Sequence, residues 1–150
     1  MKYKFYKGVV IALAIIALIG LLDSTYLAIK HYQGAPVICS VIEGCDKVTG
    51  SQYATIGSVP VALLGVIYYF GILSLALLSL ILINERYLKI LALVAPFGFA
   101  ASLWFVYLQI FVIKAICLYC MISAVTSTLI FFLSVYFLAL SRFNTSKTNL

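Results

Sequence analysis

The sequence predicts an all-α integral membrane protein: a bundle of four transmembrane helices with one long outer loop, part of which forms a short half-helix capping the site. Three observations predict it. The chain of 150 residues is 65% hydrophobic and only 9% charged. Its mean hydropathy is +1.19, outside the range of a soluble domain that must maintain a polar surface. It also carries four long apolar runs, each near the roughly 20 residues that a helix needs to cross about 30 Å of hydrocarbon. The whole chain, 1–150, reads as a single membrane domain.

The runs follow in order. The first, about 8–29, is "GVVIALAIIALIGLLDSTYLAIK" up to its flanking lysine. It follows Lys2, Lys4 and Lys7 as a signal peptide would, but it is long and lacks a small-x-small cleavage pair near its end, which predicts a retained span. The second, about 60–83, is announced by Ser58 and Pro60, since proline suits the first position of a helix. The third, about 88–113, contains Pro96, whose missing amide predicts a kink. The fourth, about 115–140, opens with "CLYC". All are helical because lipid offers the backbone no hydrogen-bond partner, and barrel strands would alternate in polarity.

Orientation follows from lysine and arginine in the short connections. One side holds Lys2, Lys4, Lys7, Arg86, Lys89, Arg142 and Lys147, and the other only Lys30, Lys47 and Lys114. The excess predicts a multi-pass protein of the cell membrane with both termini cytoplasmic and the loop at about 30–59 outside. The net charge of +6 is then a topology signal and gives no reason to expect nucleic acid. Nothing demands more than a monomer.

All four cysteines fall at the outer end. Cys39 and Cys45 flank "SVIEG" in the loop, and Cys117 and Cys120 open the fourth helix. Outside the cytoplasm disulfides form and persist, so two gathered pairs favour thiol and disulfide chemistry. Residues three apart share a helix face, so Cys117 approaches Cys120. A helix N-terminus stabilises a thiolate there, and Lys114 would add to the field. The loop pair sits among Gly34, Pro36 and Gly44, which predicts an outward, mobile segment for Cys39. Asp46 is positioned to cap a short helix from about Lys47. The stretch "VTGSQYATIGS" is too apolar and aromatic for a purely solvated loop and is expected to fold over the bundle mouth as a lid.

A mobile pair and a fixed pair suit an electron relay through mixed disulfides. With no haem, flavin or metal motif in the chain, the acceptor is read as a lipid-soluble quinone, with active site and partner on the extracytoplasmic face. Two other readings stand beside this one. The cysteines could form a four-thiolate structural zinc site, or hold a non-catalytic membrane scaffold or transporter together as structural disulfides. Asp23, near the outer end of the first helix, is read as a positioning group ahead of a proton-transfer group. His31 reads as interfacial. Gln109 reads as satisfying a neighbouring helix, ahead of touching a quinone. Trp104 and the tyrosines read as packing and interface anchors ahead of quinone contacts.

These residues resemble the vitamin K epoxide reductase (VKOR) superfamily, in its prokaryotic disulfide-generating branch. The likeness is carried by "DSTYLAIKH" closing the first helix, "CSVIEGCDKVTGSQYATIGSVPVALLGVIYY" through the loop into the second, and "CLYC" opening the fourth. The resemblance implies a division of labour. Cys39 would exchange with the thiols of a separate thioredoxin-like or DsbA-like protein, Cys45 would pass electrons to Cys117, and Cys120 would face the quinone. Ser51 and Tyr53, after the second loop cysteine, would help shape the quinone-side pocket. The implied acceptor is of ubiquinone or menaquinone type and the implied direction oxidative, although direction depends on reduction potentials. The order of the pairs differs from the DsbB family, which carries its C-x-x-C after the first helix. Two departures matter. Members that reduce the epoxide carry an asparagine and a tyrosine where this chain has Val61 and Ala124, which argues against epoxide reduction. Many bacterial relatives also carry a fused thioredoxin-like domain, whereas this sequence ends at "SRFNTSKTNL", so the partner is expected as a separate protein.

Overall fold

The structure, a computed structural model, describes residues 2–37, 39 and 44–148, with the side chains of 2–5 and 141–148 outside that description. The chain builds α1 (Lys2–Tyr32), α2 (Cys45–Thr49), a single 3-10 turn, strands β1 (Thr55–Ile56) and β2 (Val59–Pro60), α3 (Val61–Leu82), α4 (Glu85–Tyr107), a π-helical turn at Leu108–Ile113, and α5 (Leu118–Thr148). Four helices are long and apolar enough to cross a membrane: Tyr6–Tyr32, Val61–Leu82, Glu85–Ile113 and Leu118–Leu140. The four-helix membrane bundle read from the sequence is therefore what the chain forms.

The element ends depart from the expected ones for local reasons. α1 begins at Lys2 and α5 runs to Thr148, beyond the apolar runs, because a helix end in water satisfies its backbone with solvent. α4 starts at Glu85 because Asn84 caps it, its Oδ1 accepting from the Arg86 amide at 2.9 Å. Ile83 takes a left-handed φ of 48° to close the tight α3–α4 turn. α5 starts at Leu118 rather than near 115, because Ala115–Cys117 are held in a non-helical turn by Gln109. Pro60 is the cap residue of α3 and also pairs with Thr55 in a two-stranded antiparallel ladder, closed by Gly57 at φ +65°. That ladder turns the loop back over the bundle.

α1 packs between α3 and α5, and α4 closes the bundle against both. The main core gathers Val10, Leu13 and Ala17 of α1, Ile72 and Ala76 of α3, Leu88, Leu91 and Ala95 of α4, and Ile130 of α5. Polar groups inside it are paired, as the low dielectric requires. Tyr6 donates to the Ser79 carbonyl at 3.0 Å and packs edge-on against Phe137, tying α1, α3 and α5 at the end away from the cysteines. Lys7, Arg86 and Lys89, assigned to the inner side, belong to that end. The side chains of Lys2, Lys4, Arg142 and Lys147 lie outside the described residues.

Midway along the bundle the buried Tyr69 ring lies across Gly20, and its hydroxyl donates to the Ser123 carbonyl at 2.7 Å with Thr126 Oγ1 at 2.8 Å. One side chain thereby ties α3 to α1 and α5. A Cβ at position 20 would overlap the Tyr69 ring, whose hydroxyl is held by Ser123 and Thr126. Gly20→Ala is expected to destabilise the purified protein by about 1–3 kcal/mol, the usual cost of overpacking. Thermal unfolding in detergent reads this as a lowered Tm, and an unchanged Tm would show that the ring can yield.

Candidate active site

The cysteine end of the bundle is built from the loop between α1 and α3 and the start of α5. Gly34, at φ +60°, ends α1, and the chain turns inward to bury Val37 before reaching Cys39. Cys39 is bonded to Cys45 with a Cα separation of 6.0 Å, within the reach of an ordinary disulfide. Cys45 opens α2, which buries Cys45 and Val48 one turn apart and leaves Asp46 and Lys47 exposed. The sequence reading placed Asp46 at the cap. The cap residue is Gly44, and Asp46 lies within the first turn.

Glycine is required at 44 by proximity. A Cβ there would sit 2.7 Å from the Ile116 carbonyl oxygen. The residue before Cys45 thus touches the residue before Cys117. Cys45 and Cys117 are both fully enclosed, in one apolar cluster with Leu27, Val37 and Val48. Cys39 and Cys120 pack against that cluster from its edge. The half-buried Cys39 is packed rather than projecting outward as expected.

Cys117 and Cys120 are free thiols. Cys117 is the cap residue of α5: its carbonyl accepts from the Met121 amide at 3.1 Å, and its own amide donates to Gln109 Oε1 at 2.9 Å. The C-x-x-C pair therefore does not share a helical turn; Cys117 stands just outside and Cys120 just inside. The Cys120 thiol hydrogen-bonds to the Cys117 sulfur, and the amides of Cys120 and Tyr119 point at it, lowering the Cys117 thiol to about 7 against the opposing effect of burial. The cause is this fan of donors at a helix start rather than the expected Lys114, which takes a left-handed φ of 54° at the turn. The Tyr119 ring packs 5.0 Å from Tyr26, fixing the start of α5 to α1.

Below the thiols lies a cavity of about 390 Å³, within the size range of pockets for small organic ligands. Cys120 is in its wall, as are Asp23, Tyr53, Tyr68, Tyr69 and Gln109. Thr49, Tyr53, Ala54 and Ile56 close it from the loop side, so "VTGSQYATIGS" folds over the mouth. Val61 and Ala124 also line it and present no hydrogen-bonding side chain. Ser51 lies outside the wall, its Oγ donating to the Val48 carbonyl at 2.8 Å, where it secures the end of α2. His31 is an exposed residue at the rim, and Trp104 is on the lipid face, stacked on Tyr107.

Several site residues were not apparent as such in the sequence. Gly44 and Tyr69 carried no signal beyond residue type, since their roles come from contacts with distant segments. Gln109 was visible as a buried amide needing a partner, but the partner, the Cys117 amide, was not. The glycine immediately before a cysteine was the one local hint that backbone approaches backbone there.

Two buried sulfurs from separate segments, one lowered thiol and an adjoining apolar cavity inside a membrane bundle define a site for thiol-disulfide chemistry at a lipid-facing compartment. A model of the vitamin K epoxide reductase family matches residues 11–135. The chain belongs to that family, and so is a multi-pass membrane thiol-disulfide oxidoreductase, of a group whose proteins use quinones.

The donors around Cys117 set its reactivity. With Cys117 and Cys120 reduced, modification of Cys117 by a small thiol reagent is expected to accelerate as pH rises through about 7. In Cys120→Ala the largest lowering contribution is gone, so the midpoint should move up toward that of an ordinary cysteine. The pH dependence of the modification rate, followed by mass spectrometry, checks both; a midpoint unchanged in Cys120→Ala would assign the lowering to the backbone alone.

Proposed function

We propose that the protein oxidises the dithiol of a thioredoxin-like protein on the extracytoplasmic face and delivers the electrons to a membrane quinone of ubiquinone or menaquinone type. The observation that carries this reading is the position of Cys120 in the wall of an apolar cavity, with Cys117 packed in the same cluster as Cys45. A partner thiolate attacks Cys39, Cys45 leaves, and the partner's second thiol releases Cys39, so that the partner gains a disulfide. Cys45 then attacks Cys117 of an oxidised Cys117–Cys120 pair, Cys120 leaves, and Cys39 attacks Cys45 to restore the loop disulfide. The state with Cys39 bonded to Cys45 and with Cys117 and Cys120 free matches the point at which electrons have moved inward. Reduced Cys117 and Cys120 then give an electron pair to the quinone, which takes up two protons as it becomes the quinol.

Site roles follow from position. Cys120 and Tyr53 contact the quinone, and Ser51 acts indirectly by holding α2, and with it Cys45, in place. The apolar Val61 and Ala124 in the wall support a quinone rather than an epoxide that would need donors there. The lysine and arginine distribution supports cytoplasmic termini and an outward cysteine end. The scaffold reading expects inert disulfides, whereas Cys117 is a lowered, free thiol. Joined to each other, Cys39 and Cys45 are not thiolate ligands for zinc in this state.

Reduced protein in detergent is expected to consume a short-chain ubiquinone or menaquinone in step with loss of thiols, followed by quinone absorbance and thiol titration together. Cys120→Ala should abolish consumption. If thiols stay reduced with every quinone tried, the reading fails. In Cys45→Ala, the free Cys39 thiolate should attack the disulfide of an oxidised thioredoxin-like partner and leave a mixed disulfide that is trapped on non-reducing gels, and its absence with an authentic oxidised partner would remove Cys39 from the entry role.

A further inference from the structure

Reduction of a quinone needs protons as well as electrons, and the cavity wall holds one side chain free to handle them. Asp23 of α1 lines the cavity with Cys120. Its Oδ2 is buried without a hydrogen-bond partner, the only such side-chain atom among the described residues. A positioning carboxylate would be engaged by donors. This one keeps an oxygen unengaged in a low-dielectric wall.

The groups facing it are few. The Cys117 and Cys120 thiols and Tyr119 come from the start of α5, and Tyr69 from α3, all near enough for their charges to act on one another. Tyr68, His31 and the exposed Tyr53 of the loop complete the titratable groups of the wall, and α4 and the π-helical turn contribute only the neutral Ser102 and Gln109 as polar side chains. Tyr69 is committed to Ser123 and Thr126, Tyr68 to the Ala95 carbonyl, and His31 is at the exposed rim. Asp23 is the buried carboxyl that shares the cavity wall with Cys120, and one of its oxygens is without a partner.

Resting on the quinone reading above, we propose that Asp23 carries the proton of the Cys120 thiol to an oxygen of the quinone bound in the cavity. In the full step the Cys117 thiolate and the Cys120 sulfur form one S–S bond and the Cys120 S–H bond breaks. The electron pair passes to the quinone. The Cys120 proton reaches one quinone oxygen through Asp23, which ends in its starting state, and the second proton comes from water at the cysteine end. Thiolate, thiol, quinone and one proton thus become disulfide and quinol.

The test uses the full chain in detergent and separates two half-reactions. Oxidised protein is reduced by dithiothreitol without quinone; reduced protein is then mixed with a short-chain ubiquinone and followed in a single turnover across the pH range in which carboxyls and thiols titrate. Asp23→Asn is expected to slow the quinone step roughly 10²-fold or more, in the range of a lost general acid–base group. It should also change the pH profile and solvent deuterium isotope effect of that step, leave the dithiothreitol step at the wild-type rate, and leave Tm unchanged or raised. Asp23→Glu should recover most of the quinone rate. A wild-type rate and pH profile in Asp23→Asn would overturn the inference. So would equal slowing of both half-reactions with an unaltered pH profile, the mark of a structural role. If the wild type itself reduces no quinone, the underlying reading fails too, a result distinct from failure of the variant alone.

Discussion

The hydrogen bond from the Cys117 amide to Gln109 is the contact on which the geometry of the site depends. A helix start has amides with no partner inside the helix, and a buried unsatisfied donor costs about 1–3 kcal/mol. Gln109 resolves this from within the α4–α5 turn. Its side-chain oxygen takes the Cys117 amide, while its carbonyl accepts from the amides of Lys114 and Ala115, which is what opens the π-helical turn. A left-handed Lys114 costs roughly 1–2 kcal/mol, which these bonds offset. The outcome is a thiol held in a fixed place beneath the loop, with its sulfur free to accept from Cys120 and the first amides of α5.

The same turn makes room for the loop to come down on it. Because Ala115–Cys117 run in a non-helical path, their backbone presents a surface that Gly44 meets without a side chain between them. Cys45 is thereby sealed in with Cys117 among Leu27, Val37 and Val48. Exclusion of water matters for exchange in two opposing ways: it strengthens the hydrogen bonds that favour the thiolate, and it penalises the charge. At Cys117 the donors win, which is why a fully enclosed thiol is lowered rather than raised. On the other side of the pair, small residues such as Ala62 and Ala101 leave open the space that becomes the cavity.

Much of this was legible in the sequence, and the limit falls where contacts become non-local. Four spans followed from apolar runs of bilayer length, and the gathering of Cys39, Cys45, Cys117 and Cys120 at one end followed from counting the spans. The lid over the mouth followed from the apolarity of "VTGSQYATIGS". The start of α5 at Leu118 did not, because nothing local to Ala115 says that a glutamine six residues earlier competes for its amide. The cap of α2 was misplaced for a similar reason: Asp46 is a good cap by type, but the close approach of Ile116 demanded glycine one step before Cys45. Ser51 belonged to the site by resemblance, yet its hydroxyl is engaged by the Val48 carbonyl, a bond that only the folded turn discloses.

The fold also constrains where protons accompany electrons. Beneath the cavity Tyr69 spans α1, α3 and α5, and the close-packed core below it is sealed by Leu13, Ile72, Leu91 and Ile130. The buried hydroxyls beyond it, Ser127 and Ser134 of α5 and Ser79 of α3, are each engaged in hydrogen bonds. Asp23 and the cysteines lie on the other side of Tyr69, under a loop whose Asp46, Lys47 and Gln52 are in contact with solvent. The sulfurs and the carboxyl thus share one end of the bundle. On the proposal above, a carboxyl beside Cys120 in the cavity wall would let proton accompany electron, which limits the net charge that has to be held in hydrocarbon.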